Sequence, residues 1–86
     1  KLRSMDVGDL SADDLALFEA LREWRRTWCR AHDIKAAYTV FDDKTLRAIA
    51  SHRPASESSL LDVPGIGPTK AERYGAAVLA IVAEHG

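Results

Sequence analysis

A glycine-rich turn followed by a lysine is the part of the chain whose residue types are best suited to binding a ligand. The turn runs from Gly65 to Lys70 and reads Gly-Ile-Gly-Pro-Thr-Lys. Glycine adopts positive φ and lets other groups approach the backbone closely, and proline is favoured at the first position of a helix. The pattern predicts a tight turn at a helix N-terminus, where free backbone N–H groups bind anions such as phosphate.

The order Gly-Ile-Gly-x-x-Lys is typical of the hairpin in a helix-hairpin-helix element, which contacts the backbone of nucleic acids without reading bases. In this interpretation the N–H groups around Gly65 and Gly67 face a phosphate. Thr69 and Lys70 would add a hydroxyl group and a positive charge. These four residues are therefore candidate nucleic-acid contacts.

Other features of the same turn argue against direct contact with phosphate. Pro68 removes one N–H donor, and Glu72 adds a negative charge close by. A structural explanation is also open, because two helices packed at a sharp angle need a tight turn and Ile66 can enter the core. Packing and phosphate contact do not exclude each other.

A row of arginine side chains is the second candidate. Arg22, Arg26 and Arg30 follow one another at intervals of four residues, which places them on one face of a predicted helix, with Arg25 alongside. We expect all four to be exposed, because they lie away from the apolar stripe of that helix. Arg25 and Arg30 have no obvious local partner for an ion pair.

Two acidic residues compete with any ligand for this row. Glu19 and Glu23 stand three residues before Arg22 and Arg26, and each such pair is worth about 0.3 kcal/mol. The row is therefore either a solvated, salt-bridged helix face or a set of phosphate contacts. In the second case it would continue through one or more other basic residues, which are Lys35, Lys44, Arg47 or Arg53.

Tyr38 is a candidate platform for a nucleic-acid base. Stacking of a base on an exposed aromatic ring contributes about 1–3 kcal/mol regardless of sequence. The alternative is that Tyr38 packs beneath its loop with only the hydroxyl group at the surface, the more common arrangement for a tyrosine.

Helical periodicity positions these residues. Ser11 is a suitable N-cap for a first helix that runs to about Arg30. Its apolar stripe steps by four and three residues and comprises Leu17, Leu21, Trp24, Trp28 and Ala31. Residues 31–41 lack helical spacing and predict an extended or single-turn connection, in which Tyr38, Val40 and Phe41 are held against the core.

Capping residues and prolines mark the remaining elements. Asp42 is a suitable N-cap for a second helix, which Pro54 ends. Ser56 caps a short third helix, Pro68 opens a fourth that Gly75 interrupts, and a fifth ends near the C-terminus. The predicted fold is all-α, a compact bundle of five short helices that contains the helix-hairpin-helix-like turn.

Composition indicates a single small domain. The chain has 86 residues, of which 47% are hydrophobic and 29% charged. Residues 1–10 have no periodicity and are interpreted as a linker or an expression remnant, and residues 11–86 as the helical domain. Because the first residue is lysine rather than methionine, we expect a fragment of a longer polypeptide. As an isolated domain it is expected to be monomeric.

Several classes of function are not expected. The single cysteine allows no internal disulfide, and no His and Cys residues have zinc spacing. No nucleophile with its base and no Walker loop is recognisable, so we predict no catalytic residue, no metal and no cofactor. No apolar run approaches the length of a membrane span. These features favour a reducing, cytoplasmic setting without membrane contact.

Positive charge is concentrated in the middle of the sequence. The net charge is −1, from −3 over residues 1–21, +4 over residues 22–53 and −2 over residues 54–86. The overall charge argues against strong general affinity for nucleic acid, whereas the distribution favours a local basic face.

The order and spacing of these motifs resemble the HRDC domain, named for helicase and RNase D C-terminal. The resemblance extends over residues 15–84 and is carried by residues 21–25, 38–42, 46–50 and 60–75 together with Pro54. One departure is Ala36-Ala37, where many members carry a proline, which leaves the rigidity of this connection open.

The resemblance implies an accessory module that positions a RecQ-like or UvrD-like helicase, or an RNase D-type nuclease, on DNA or RNA. The Trp and Ala content and the preference for Arg over Lys favour a bacterial helicase. In some relatives the loop aromatic residue equivalent to Tyr38 is thought to stack on bases. The implied partners are single-stranded or structured DNA and the parent helicase core.

Three functions follow as hypotheses. The first is weak, sequence-independent binding to DNA backbone or single strands, with a dissociation constant no better than about 10⁻⁴–10⁻⁶ M at physiological salt. The second is a docking module that packs on a partner or on the parent enzyme, with little affinity for DNA. The third is a spacer without contacts of its own.

Overall fold

The computed structural model describes residues 10–85, which form four α-helices. They are α1 (Ala12–Ala31), α2 (Asp43–His52), α3 (Glu57–Leu61) and α4 (Pro68–His85), and a single 3₁₀ turn (Ala37–Thr39) lies between α1 and α2. No strand forms within these residues, and the all-α prediction is confirmed. The interpretation of residues 1–10 falls, except for Leu10, outside the described residues, as does Gly86.

The predicted N-caps are present. The side chain of Ser11 accepts a hydrogen bond from the Asp14 N–H at 3.1 Å, and Asp42 accepts one from the Thr45 N–H at 2.8 Å. Ser56 forms a capping box with Ser59, in which each side chain accepts from the other's backbone N–H. These local hydrogen bonds satisfy helix N–H groups that would otherwise lack acceptors, and they set where three helices begin.

The prediction of a helix break at Gly75 is wrong, and the bundle has four α-helices rather than five. Gly75 lies inside the continuous helix α4, where it is buried. A single glycine costs a helix about 1 kcal/mol relative to alanine and does not by itself end it. A Cβ atom added here would lie 3.4 Å from Leu60 Cδ2, so the missing side chain lets α3 pack closely on α4.

The core is formed by all four helices and the α1–α2 connection. Leu17 and Leu21 are fully buried as predicted, but Trp24 and Trp28 are only partly buried and Ala31 is exposed. The side chains with at most 2% exposure are Leu17, Phe18, Leu21, Val40, Phe41, Leu46, Ile49, Ala50, Leu60, Val63 and Val78.

An aromatic cluster joins α1, the α1–α2 connection and α4. Trp24 lies 6.2 Å from Phe41 and 5.9 Å from Tyr74, measured between ring centroids, and Trp28 lies 5.4 Å from Tyr74. The contacts with Tyr74 are edge-to-face, a favoured arrangement of aromatic rings. The cluster anchors the connection that follows α1, because Phe41 lies at the end of that connection, next to the N-cap Asp42.

Arg53 joins the start of α1 to the end of α4. It follows α2 in a left-handed conformation, with φ 49°. Its Nε donates to Asp14 Oδ1 at 2.8 Å, and its Nη1 donates to the His85 carbonyl at 3.1 Å. One guanidinium group therefore holds the first turn of α1 beside the last turn of α4.

Candidate nucleic-acid interface

Four arginines and a lysine line one shallow groove on the surface of α1. It has a volume of about 380 Å³ and is completed by residues of the α1–α2 connection. We call it the arginine groove, and its lining residues are Arg22, Arg25, Arg26, Cys29, Arg30, Ile34, Lys35 and Ala37. The structure thus brings together all the sequence-predicted basic residues of α1 and Lys35.

Three arginines of the groove are exposed, although the Arg22 guanidinium also lies 5.6 Å from the centroid of the Phe18 ring. Arg22 pairs with Glu19 and Arg26 with Glu23, each at 3.7 Å, as the spacing predicted. Both pairs are exposed, and such pairs contribute little because water screens them. Arg30 is exposed and forms no ion pair within residues 10–85.

The expectation that Arg25 is exposed is wrong, and its partners lie beyond the local spacing of α1. Its side chain is only 13% exposed, its Nη1 donates to the Phe41 carbonyl at 2.7 Å, and its Nη2 lies 2.8 Å from Asp43 Oδ1. At 100° per residue Arg25 is about 40° from Leu21 around the helix, within the buried sector, and this signal was available in the sequence. Arg25 connects α1 to the start of α2.

Tyr38 is 70% exposed, so it does not pack beneath its loop. It lies in the 3₁₀ turn, directly after Ala37, which lines the arginine groove. Lys35 is also exposed, and its only ion pair among residues 10–85 is a 3.6 Å contact with the equally exposed Asp33. The connection that completes the groove therefore carries both an exposed aromatic ring and an exposed ammonium group.

Two of the residues considered for extending the row lie elsewhere. Arg53 pairs with Asp14 at the start of α1, and Lys44 borders a different groove beside Pro64 and Gly65. Of the basic residues that follow α1, Lys35 is the one that lines the arginine groove.

The hairpin before α4 has the backbone that its glycines predicted. Gly65 has φ +93°, and a Cβ atom there would lie 2.5 Å from Thr45 Oγ1. Ile66 is 7% exposed and belongs to the core, as expected. Gly67 has open space around its Cα. Gly65 therefore serves the packing of the hairpin on α2, and Gly67 faces solvent.

The start of α4 offers free N–H groups. The carbonyl of Gly67 accepts from the Ala71 N–H at 3.0 Å, and Pro68 has no N–H. The amides of Gly67, Thr69 and Lys70 donate to no acceptor within residues 10–85. Such amides at a helix N-terminus attract anions.

Lys70, the cation of the hairpin, is partly engaged by the fold. Its Nζ lies 5.6 Å from the centroid of the Phe41 ring, and the side chain is half-buried. The charge of Lys70 also acts on Asp42, although hydrogen bonds from the side chain and then the backbone of Thr45 are the main causes that lower the pKa of Asp42. A carboxylate therefore lies near the one lysine of the hairpin.

The part of the chain that the structure describes carries neither a metal-binding cluster nor a membrane-spanning helix. Within the described part of the chain, no three His, Cys, Asp or Glu side chains are grouped so as to hold a metal ion. None of the helices in residues 10–85 has the length and hydropathy to cross a bilayer.

Known proteins share both the sequence pattern and the fold. The family model of the HRDC domain matches residues 14–82. The ATP-dependent DNA helicase UvrD2 of Mycobacterium tuberculosis (strain H37Rv) is 41% identical over 81 residues, which cover 94% of this chain and 11% of that protein. The ATP-dependent DNA helicase RecQ of Haemophilus influenzae is 36% identical over 72 residues, covering 84% and 12%.

A solved structure gives the same result. The chain described as D. radiodurans RecQ HRDC domain 3 superposes with a TM-score of 0.77 at 35% identity, over 83% of this chain and 92% of that one. The present chain thus corresponds to a whole solved domain, while it spans only 11–12% of the length of the two helicases.

Proposed function

The chain belongs to the HRDC domain family, and from this premise we propose that it is a non-catalytic, nucleic-acid-binding module of an ATP-dependent DNA helicase. It makes weak, sequence-independent contacts with DNA backbone or single strands and helps to position the catalytic core. The proposed setting is the cytoplasm, with the isolated domain as a monomer.

The observation that carries this proposal is the arginine groove with Tyr38 at its edge. Solvent-facing guanidinium groups on one side of α1 can follow the phosphates of a strand, and the exposed ring of Tyr38 can receive a base. Cationic grooves combined with aromatic stacking are the usual means of binding single strands without reading sequence. The contacts proposed in this groove are those of Arg22, Arg26, Arg30, Lys35 and Tyr38.

The hairpin is a weaker part of the proposed interface. Free amides around Gly67 and Thr69 support a contact with one phosphate. Lys70 contributes less than a free lysine, because it lies over Phe41 and acts on the charge of Asp42. Arg25 is proposed to support the groove rather than to contact DNA, since its guanidinium is engaged by Phe41 and Asp43.

A docking role is the second candidate. It is favoured by the net charge of −1 and by the exposed apolar side chain of Leu61, which is 41% exposed on α3. In this alternative the domain packs on the parent helicase core or on another protein. It predicts that charge reversal in the arginine groove leaves DNA binding by the parent enzyme unchanged.

The direct test is a chemical-shift titration of the ¹⁵N-labelled chain with a short oligothymidylate at low salt. We expect shifts along α1 and at Tyr38, and a dissociation constant that rises with salt by a log–log slope of about 0.7 per phosphate contacted. Tyr38→Ala should weaken binding by at least fivefold, consistent with loss of roughly 1–3 kcal/mol of stacking.

Charge reversal provides the matched comparison. Arg30→Glu should weaken binding and reduce the salt slope, whereas Lys44→Glu makes the same kind of change outside the arginine groove and should have little effect. Absence of shifts at millimolar oligonucleotide, or equal effects of the two reversals, would contradict the proposed interface.

A further inference from the structure

Two stacked rings lie at the C-terminal end of α1, outside the arginine groove. The centroids of the Trp28 and His32 rings are 4.1 Å apart, and the ring planes differ by 24°. Trp28 is partly buried and meets Tyr74 of α4 edge-to-face at 5.4 Å, whereas His32 is exposed. The core therefore supports an imidazole ring that stands at the surface.

The outer face of the His32 ring is open. Trp28 covers the inner face, and His32 forms no second ring contact within residues 10–85. The chain turns away directly after the ring, because Asp33 has a left-handed φ of 56° and the Ile34 N–H donates back to the Cys29 carbonyl at 2.8 Å. Since Trp28 takes the inner face, the exposed part of the ring is its outer face and its edges.

The position of His32 is fixed in the free chain. His32 is the C-cap of α1, and its N–H donates to the carbonyls of Arg30 and Trp28. Stacking on Trp28 holds the ring as well. A side chain that is already ordered loses little conformational entropy when it binds a ligand. The ring is therefore suited to stack on a second flat group.

The stacked rings lie at the same end of the bundle as the hairpin. Helices α1 and α4 run antiparallel, because one guanidinium group joins the first turn of α1 to the end of α4. Trp28 lies beside Tyr74. His32 is one turn further along α1, and the residue one turn back along α4 from Tyr74 is Lys70. The ring of His32 therefore stands at the level of the free amides that begin α4.

The two helix ends at this pole suit different parts of a nucleotide. The C-terminus of α1 carries a partial negative charge, which disfavours phosphate, and the N-terminus of α4 carries a partial positive charge, which favours it. Asp33, the acidic neighbour of His32, lies 3.6 Å from the ammonium group of Lys35. A base on His32 with a phosphate at the start of α4 fits these charges, and the reverse placement does not.

We propose that the outer face of His32, supported by Trp28, is a second stacking site for a base of single-stranded nucleic acid. This inference rests on the proposed DNA-binding function and adds to it a base contact at the hairpin end of the bundle. Histidine is among the side chains on which unpaired bases stack, and such stacking tolerates any base. The bases inside a duplex have no free face, so the site takes a single strand or an open end.

The test is a titration of the ¹⁵N-labelled chain with a short oligothymidylate at low salt. We expect shifts of the Trp28 Nε1–H and of the His32 ring nitrogens. An oligomer of the same length and charge in which every nucleotide is abasic should shift the amides at the start of α4 but leave both rings unchanged. Equal ring shifts with the two oligomers would place phosphate rather than a base at His32 and would overturn the inference.

Three variants separate stacking from a purely structural role. His32→Ala should weaken binding by about fivefold or more, and His32→Tyr, which keeps an aromatic ring, should retain affinity. His52→Ala removes an exposed histidine from the last turn of α2 and should bind like the unsubstituted chain. A folded His32→Ala chain with undiminished affinity, or a His32→Tyr chain that binds as weakly as His32→Ala, would contradict the stacking site.

The outcomes distinguish this inference from the DNA-binding proposal. Shifts at Tyr38 and along the arginine groove without a change at either ring would overturn the second stacking site and leave the first interface in place. Absence of any shift at millimolar oligonucleotide would remove both. Circular dichroism checks the fold of each variant, and the ring signals of the unsubstituted chain provide the decision if His32→Ala unfolds.

Discussion

The hairpin and the arginine groove both contain residues suited to binding phosphate, but the fold uses the two sets differently. In the hairpin, Gly65 packs on Thr45, Ile66 enters the core and Lys70 lies over Phe41. In the arginine groove, by contrast, Arg25 is held by Phe41 and Asp43 and the Arg22 guanidinium lies over the Phe18 ring. The other cations there remain open to solvent.

The motif that is easier to recognise in the sequence is therefore not the one whose charges are more available to a ligand. The hairpin is the easier motif to recognise, because its glycines and prolines have strict backbone requirements. Those backbone requirements come from packing. In meeting them, the fold occupies many of the hairpin groups that could bind phosphate. The arginine row is an ordinary pattern for an exposed helix, and for that reason its charges stay available to a ligand.

The largest expected effect concerns the backbone of the hairpin. Gly65→Ala should destabilise the chain by about 2–4 kcal/mol, because the positive φ and the 2.5 Å approach to Thr45 Oγ1 both oppose a Cβ atom. Gly67→Ala should cost about 1 kcal/mol or less, since open space surrounds that Cα. Urea denaturation measures both, and equal losses would contradict the different roles of the two glycines.

The next effect contrasts two neighbours in the arginine groove. Arg25→Ala removes a 2.7 Å hydrogen bond to Phe41 and the ion pair with Asp43, and should cost about 1–2 kcal/mol after allowance for the exposure of Asp43. Arg26→Ala should change stability by less than about 0.5 kcal/mol. Thermal denaturation compares the pair.

Binding of oligothymidylate by the same two variants sharpens the contrast. Arg26→Ala should lower the salt slope, whereas Arg25→Ala should change affinity only as far as it disturbs the connection that carries Tyr38. A lower salt slope for Arg25→Ala with unchanged stability would mean that Arg25 contacts phosphate.

The smallest effect depends on pH and concerns the carboxylate near the hairpin. Hydrogen bonds from Thr45 lower the pKa of Asp42 in the folded chain below its ordinary value of 3.8. Its stabilisation is therefore present above that value and is lost as the pH falls through the lower, folded pKa. Asp42→Ala should lower the free energy of unfolding by about 1 kcal/mol near neutral pH. The difference in stability between this variant and the unsubstituted chain should disappear in acid.

Denaturation midpoints of the variant and the unsubstituted chain, measured from neutral pH down into strong acid, give this difference in stability at each pH. Asp33→Ala, at an exposed position paired only with Lys35 among residues 10–85, is the matched control and should show no such convergence. A gap for Asp42→Ala that stays constant into acid would mean that the cap acts without its charge.

Features determined by local sequence were predictable. Ser11, Asp42 and Ser56 cap helices through contacts three residues away, and the turn at Gly65 follows from the backbone freedom of glycine. The all-α class and the pairs of Arg22 and Arg26 follow from the same short spacings.

Features that depend on distant residues were not predictable in the same way. Arg25 is engaged by the Phe41 carbonyl, 16 residues later in the chain. Gly75 packs closely against Leu60 on α3, and the sequence gives no measure of that contact. The groove between α2 and the hairpin brings Ala48 and Pro64 together from different elements, a proximity that periodicity does not reveal.

The guanidinium of Arg53 fixes where the helical unit starts and ends in space. By holding Asp14 and the His85 carbonyl together, it puts the entry and exit of the helical unit at one pole. Arg30 lies near the opposite end of α1, about 24 Å away along the helix axis. The two ends of the helical unit therefore lie together on the side of the domain remote from Arg30, so a label attached at either end would be near the other end and far from that arginine.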